Sequence, residues 1–307
     1  MGTDARGAHG SRSGRQARLF KLLRRALAGA AGMRSKHGAN LALDILEANG
    51  IHEIALTRAD GRLLHISTRD KVIASEVIRS GSFARENMEA FVGLLVANGL
   101  DPAALTFVNI GANIGTACLN AYDCGFRRFV AVEPEPENFS LLERNLAGLE
   151  RASVRCEQAA IGEVRGRATL HRHAANLGSH SLLAPGMDRT NASAIEVPVE
   201  PLSAVVEPGD RFVLFVDVEG YEPQVLRGGA AEIESGCAAI VLEITPGRYA
   251  PADAADLQMR TAAFASTFSL LPSRQAYPSG HLPALMASHA RGHFDIALVR
   301  SDLSTRT

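Results

Sequence analysis

The order of apolar and polar positions changes character several times along the chain. Residues 1–14 are Gly, Ser, Arg and Ala with almost no large apolar side chain. Such a stretch cannot bury enough surface to order itself and is predicted to be a disordered tail. Leu19, Phe20, Leu22, Leu23 and Leu27 then fall at helical spacing among Arg18, Lys21, Arg24 and Arg25. This predicts a short basic amphipathic helix packed on the domain with its basic face in water. Weak peripheral contact of residues 15–28 with an anionic membrane surface is the alternative. Between 51 and 67 two alternating runs, Ile54-Ala55-Leu56 and Leu63-Leu64-His65-Ile66, flank Ala59-Asp60-Gly61. Asp-Gly between apolar runs predicts a β-hairpin. Residues 70–98 carry a helical pattern broken near Ser80-Gly81-Ser82. Residues 15–100 are thus expected to form a small N-terminal cap of helices and a hairpin.

From Leu105 onward strands and helices alternate. Strands are predicted at Thr106–Ile110, Phe129–Val132, Val154–Gln158, Phe212–Val216 and Ala239–Ile244, with last strands at Phe268–Leu271 and Phe294–Val299. Helices are predicted at Ile114–Cys124 and Pro136–Leu146, the second with proline in its first turn, where the missing N–H costs nothing. The unbroken apolar run Phe212-Val213-Leu214-Phe215-Val216 suits a central parallel strand covered on both faces. Alternation of this kind predicts an α/β domain over residues 101–307, with a mostly parallel sheet and helices on both faces. Ala168–Leu183 and Ile195–Val199 read as an insertion with extra short strands. At 307 residues, 46% of them hydrophobic, the chain is long enough to bury such a core.

The formal net charge of −1 gives no basic excess to bind DNA or RNA. No apolar run is long enough to span a bilayer. The short, glycine-broken stretch Ala26–Met33 is a poor secretory signal, so a cytoplasmic location is expected. The four cysteines, Cys118, Cys124, Cys156 and Cys237, form no C-x-x-C pair and read as free thiols.

Candidate chemistry starts at Asn109-Ile110-Gly111-Ala112-Asn113-Ile114-Gly115, which follows the first strand of the domain and opens a helix. Open parallel sheets bind ligands at the carboxyl ends of their strands. Glycine there allows a sharp turn and close approach of a ligand. The dinucleotide fingerprint G-x-G-x-x-G requires glycine at position 113, where this chain has Asn113. A nucleoside without a pyrophosphate fits better, which argues against an NAD-dependent oxidoreductase. Glu133 ends the second strand, 22 residues after Gly111, where a carboxylate can accept hydrogen bonds from ribose hydroxyls. Two structural roles compete: a plain strand-to-helix turn for the glycines, and a helix cap for Glu133. Asp217 and Glu219 end the long apolar strand. If the chain stays extended through Glu219, both point to one side. Charged groups so close to a buried strand need a partner or a task. Holding the turn at Gly220 would be one such task, and general-base work on an acceptor another. Glu243 ends the neighbouring strand and could join them. His171, His173 and His180 cluster in the insertion, where histidine suits a base near neutral pH. No motif specifies a metal.

Taken as an ordered set, several stretches resemble the FkbM-type methyltransferases. They are Phe107–Gly115, Val132-Glu133-Pro134-Glu135-Pro136-Glu137-Asn138-Phe139, Asn145, Ala159-Ala160-Ile161-Gly162, Asn176-x-Gly178-x-x-Ser181-Leu182, Val197-Pro198-Val199, Val216-Asp217-Val218-Glu219-Gly220-Tyr221-Glu222 through Gly228, and Leu242-Glu243-Ile244. The resemblance covers about residues 70–300. It implies a seven-stranded, Rossmann-like methyltransferase sheet, S-adenosylmethionine as methyl donor and, usually, a hydroxyl acceptor on a sugar, glycan or natural product. It places Asn109, Gly111, Ala112, Asn113, Gly115, Glu133, Pro134, Asn138 and Ala160 around the donor. Asp217, Glu219 and His180 become the catalytic candidates, His180 because it lies within the Asn176–Leu182 stretch. The family usually has Asp where this chain has Asn109, near the methionine end of the donor. That departure leaves a non-catalytic donor-binding scaffold as a second reading.

Overall fold

A computed structural model describes residues 35–300 apart from 175, 184–192, 263, 265, 271–274, 279 and 291. The tail and the basic helix expected before residue 35 lie outside the described residues. The chain opens with helix α1 (Lys36–Ala48) and the hairpin β1 (Glu53–Thr57) and β2 (Leu63–Ser67). Helices α2 (Ile73–Ser80) and α3 (Arg85–Ala97) follow, separated where Gly81 adopts φ +81°. A left-handed residue at that position ends a helix, and glycine takes it without a steric penalty. The hairpin is not a loose flap. The Asn145 side chain accepts from the His65 N–H (2.7 Å) and donates to the His65 carbonyl (3.0 Å) and to the Ile114 carbonyl (2.8 Å). One amide thus pairs with the free edge of β2 and with the loop that opens the main domain.

The main domain runs β3 (Thr106–Ile110), α4 (Thr116–Asp123), β4 (Arg128–Val132), α5 (Pro136–Leu146), β5 (Ser153–Glu157), then short β6 (Ala160–Ile161), β7 (Gly166–Arg172) and β8 (Ser193–Glu200). It continues with β9 (Phe212–Val216), α6 (Glu222–Gly228), α7 (Ala230–Gly236), β10 (Cys237–Ile244) and α8 (Pro251–Thr261). It closes with β11 (Ser266–Ser269), β12 (Ala276–Pro278), α9 (Leu282–Ser288) and β13 (Phe294–Val299). The large sheet has the order β12-β11-β13-β10-β9-β3-β4-β5. The five strands from β10 to β5 are parallel, while β13 runs antiparallel to both β10 and β11. The resemblance implies seven strands; the described sheet has eight, the addition being the three-residue edge strand β12. The insertion forms a separate three-stranded sheet, β6-β8-β7.

Period-two alternation divides the central strands between two cores. Phe107, Ala131, Val213, Ala239, Val241 and Ala297 face one of them, together with α3 and α4. Val108, Val130, Val132, Leu214, Val216 and Leu242 face the other. Each fully buried large apolar side chain contributes roughly 1.5–3 kcal/mol, so the sheet is anchored from both sides and its carboxyl edge is held firmly. Order β9-β3-β4 with parallel pairing brings the loops after these three strands together, which is where the candidate residues sit.

Candidate functional site

The loop after β3 turns because its residues can hold unusual backbone angles. Gly111 has φ +79° and Gly115 φ +89°. Asn113, where a dinucleotide fold would have glycine, is itself left-handed at φ +50°. Asparagine tolerates that region better than other side chains. Its amide also ties the loop down, donating to the Leu177 carbonyl at 2.9 Å. Glu133, at the end of β4, accepts from the Asn113 N–H (2.8 Å) through one oxygen and from the Glu135 N–H (2.9 Å) through the other. Burial pushes its carboxyl up to about 7. An ionised carboxylate accepts about four hydrogen bonds, so acceptor capacity remains for a ligand. The helix cap considered for Glu133 is made by Glu135, whose carboxylate accepts from the Glu137 and Asn138 N–H groups, both at 2.8 Å.

This loop is one wall of a cavity of about 550 Å³. Asn109, Gly111, Ala112, Asn113, Glu133, Pro134, Asn138 and Ala160 all line it. Gly115 does not contribute to the lining; a Cβ there would lie 2.9 Å from Leu142 Cδ1, so it serves the packing of α4 on α5. The amide oxygens of Asn109, Asn120 and Asn138 are buried without a partner, and all three residues line the cavity. Buried acceptors left without a donor normally cost on the order of 1–3 kcal/mol each, which suits a wall that waits for a ligand rich in N–H and O–H groups.

The opposite wall is acidic. Asp217, Glu219 and Glu243 each present a carboxylate oxygen, and the three oxygens lie within 4.8 Å of one another. Asp295 lines the same cavity and is directly opposite Glu243 in the β10–β13 register. Asp217 is held well above the usual carboxylate range by burial and by the charges of Glu243 and Glu219. Glu243 is pushed up to about 8, again by burial and then by Glu219. The expected geometry needs correction in one respect. β9 ends at Val216, and Glu219 is left-handed at φ +55°, so Asp217 and Glu219 do not share the face of an extended strand. They meet because the chain turns.

That turn is held by a residue the sequence reading did not single out for the role. Glu222 is fully buried, and its Oε1 accepts from the N–H groups of Val218 (3.2 Å) and Gly220 (3.1 Å). Its Oε2 accepts from the Tyr249 hydroxyl at 2.9 Å. The turn-holding task considered for Asp217 or Glu219 therefore belongs to Glu222. Glu219 is instead the latch of the 176–183 segment. Its carboxylate accepts from Ser179 Oγ (3.0 Å) and pairs with Arg248 (3.1 Å). Its carbonyl accepts from Ser181 Oγ (2.8 Å) and Arg248 Nη1 (2.6 Å). The other end of the segment is fastened by Asn113 and Asn138, which both donate to the Leu177 carbonyl. This clasp joins the donor-side loop to the acidic wall.

His180 rides on the clasp and lines the cavity. Burial pushes its imidazole down to about 4. Its Nδ1 accepts from the His173 N–H at 3.0 Å, which places the remaining proton on Nε2. A neutral imidazole in that tautomer donates but does not receive a proton. Residues before the main domain and residues of the insertion both line the cavity: Ile73, Phe83, Asn87 and Met88 from the first, Leu170 and Leu182 from the second.

The sequence profile of the Methyltransferase FkbM domain matches residues 109–270, more than half of the chain and the span that carries the donor-side loop with Asp217, Glu219 and Glu243. The chain belongs to the FkbM methyltransferase family. It is therefore a methyltransferase, and its α/β fold is that of the family. Among solved structures it is similar to the magnesium protoporphyrin IX methyltransferase of Synechocystis PCC 6803 with bound SAM, at 12% identity and a TM-score of 0.40, covering 74% of this chain and 83% of that one. The O-methyltransferase TomG of Streptomyces achromogenes, involved in tomaymycin synthesis and solved with SAM, matches at 12% identity and a TM-score of 0.38, covering 71% and 81%. No curated protein sequence matches. No helix among the described residues is long and apolar enough to cross a membrane.

Proposed function

We propose that this FkbM-family chain binds S-adenosylmethionine on the Asn109–Ala112, Glu133 and Asn138 wall and methylates a hydroxyl group of a small molecule, sugar or glycan on the Asp217 wall. The observation that carries this is the cavity itself, which joins a glycine turn and a strand-end carboxylate to a carboxylate cluster in one space. The donor fits the residues present. Glu133 offers acceptor capacity for ribose hydroxyls, and the orphaned amide oxygens of Asn109, Asn120 and Asn138 offer acceptors for its amino groups. When bound, S-adenosylmethionine supplies a methyl group on a sulfonium, whose S–C electron pair remains on sulfur as the group leaves.

What the chain does is position and deprotonate. Fixing the acceptor oxygen in line with the donor is a proximity effect. The hydroxyl must lose its proton near the transition state, and a carboxylate on the acidic wall is placed to take it. The cap elements α2 and α3 roof the cavity and would shape acceptor choice through Ile73, Phe83, Asn87 and Met88. Neutral or cationic acceptors suit a wall with four carboxyl groups; anionic ones would meet repulsion.

Calorimetry with S-adenosylmethionine, then mass spectrometry of a donor-treated glycan and metabolite extract, tests the proposal. Binding plus a donor-dependent gain of one methyl group on an alcohol carbon is expected. Binding without transfer would favour the scaffold reading. Protection from thermal unfolding by NAD instead of the methyl donor would sink it.

A further inference from the structure

The acidic wall has more structure than a cluster of charges. Asn109, Phe215 and Val241 are in register across β3, β9 and β10, and Val241 pairs with Ala297 of β13. Two residues further along β10 the same face carries Glu243, and two residues earlier on β13 it carries Asp295. Asp217 follows β9 on that face. The wall is thus the polar continuation of an apolar sheet face, under the roof of α3. Asn109, 1% exposed, stands on this face and lines the cavity with an amide oxygen that has no partner.

The carboxyl groups differ in their partners. Glu219 is neutralised by Arg248 and bonded by Ser179. Asp295 accepts from Asn87 Nδ2 of α3 at 2.7 Å. Asp217 and Glu243 face each other, with carboxylate oxygens within 4.8 Å, and the charge of Glu243 helps to raise the Asp217 carboxyl. Around them stand Glu219 and Arg248 from the two turns, Asp295 and His293 from β13 and its approach, Asn87 from α3, and Glu222 with Tyr249 below the turn. Among the described residues, Arg248 is spent on Glu219, and His293 stands 3.7 Å from Glu243 and is mostly exposed. Two carboxylates this close, with no buried cation of their own among the described residues, cannot both ionise near neutral pH.

We propose that Asp217 and Glu243 act as one carboxyl pair sharing a single proton, and that this pair, not Glu219 or His180, is the base for the acceptor hydroxyl. The proposal rests on the O-methylation reading above and assigns its proton. In the monoanionic pair Asp217 donates to Glu243. The acceptor O–H bond breaks, its proton passes to the free Glu243 oxygen, and its electron pair stays on the acceptor oxygen to form the new O–CH₃ bond. The pair then holds two protons and returns one to water. Glu219 is excluded because its carboxylate is committed to Ser179 and Arg248. His180 is excluded because its one basic nitrogen already accepts from a backbone N–H.

The test is an infrared pH titration of the whole donor-free protein, in wild type and in the near-isosteric variants Asp217→Asn and Glu243→Gln. The pair titrates as a unit, so either substitution must remove a protonated-carboxyl signal that the wild type loses only above about pH 7. Should one variant fail to fold, the other decides alone. A wild type with no such signal, or a signal unmoved in a folded variant, overturns the proposal. So does one-to-one binding of Mn²⁺ that both substitutions abolish, which would mean that a cation holds the two groups. On an extract that accepts methyl groups, Glu243→Gln should lower turnover by a factor on the order of 10²–10⁴ with donor affinity unchanged, and Glu219→Gln by far less. Failure of donor binding by calorimetry would instead sink the methyltransferase reading, and the infrared result does not depend on the donor.

Discussion

Gly111 and Asp217 touch through their backbones: a Cβ added to Gly111 would stand 1.9 Å from the Asp217 carbonyl oxygen. The donor-side turn is thereby pressed against the end of the strand that carries the acidic wall. Gly111 also needs its φ of +79°. Gly111→Ala is therefore expected to lower stability by about 2–4 kcal/mol and to weaken donor binding at the same time. Urea denaturation and calorimetry on one preparation check this. A fully stable variant with normal donor affinity would show that the two loops are not in contact.

Glu133→Ala should weaken S-adenosylmethionine binding by about 1–3 kcal/mol, because the ribose hydroxyls would lose a charged acceptor and the loop would lose its bond to Asn113. The carboxyl is pushed up to about 7, so donor affinity of the wild type should fall as pH drops from about 8 to 6. Isothermal titration across that range measures it. Affinity that ignores both the substitution and the pH would remove Glu133 from the site.

Removing the turn holder should separate folding from chemistry. Glu222→Ala leaves two N–H groups and the Tyr249 hydroxyl without their acceptor, with a predicted loss on the order of 2–4 kcal/mol. Tyr249→Phe removes one hydroxyl, which bonds Glu222 and accepts from the Thr245 N–H, and should lose about 1 kcal/mol. Chemical denaturation of the two variants gives both values. Equal effects would contradict the assignment of the turn to Glu222.

Asn145→Ala should release the hairpin β1–β2 from α5. Three hydrogen bonds disappear, two of them to His65, and about 2–3 kcal/mol should go with them. Hydrogen exchange should rise through residues 53–67 before it rises in β3 or β9. Uniform exchange across the chain would mean that the hairpin opens only with the whole fold.

Stability itself should depend on pH with a definite sign. Glu133, Asp217 and Glu243 all bind their protons more tightly in the folded state than in the unfolded chain. Between about pH 5 and pH 8 the unfolded state therefore holds fewer protons, and stability falls as pH rises. Glu243→Gln, which cannot ionise, should raise the melting temperature at pH 8 and change it little at pH 5. A variant equally or less stable at pH 8 would show that the carboxyl is not strained.

The parts of this protein that depend on neighbours in sequence were legible before any coordinates. The strands at Thr106–Ile110, Phe212–Val216 and Phe294–Val299 have the bounds their apolar runs predict. The hairpin follows from Asp60-Gly61, and the helix break from Gly81. The donor loop is equally local: strand, turn and helix start lie within seven consecutive residues, and Glu133 follows on the next strand. The chain could not say which carboxylate does what. Asp217, Glu219 and Glu222 lie within six residues and look alike as letters. Their roles part because the turn gives Glu222 the free N–H groups, the clasp and Arg248 take Glu219, and β10 brings Glu243 to Asp217. The last two contacts join residues roughly 25–40 positions apart. Sequence fixes which groups a strand end carries; only the packing of strands side by side decides which of them meet, which are neutralised, and which remain under strain beside a cavity.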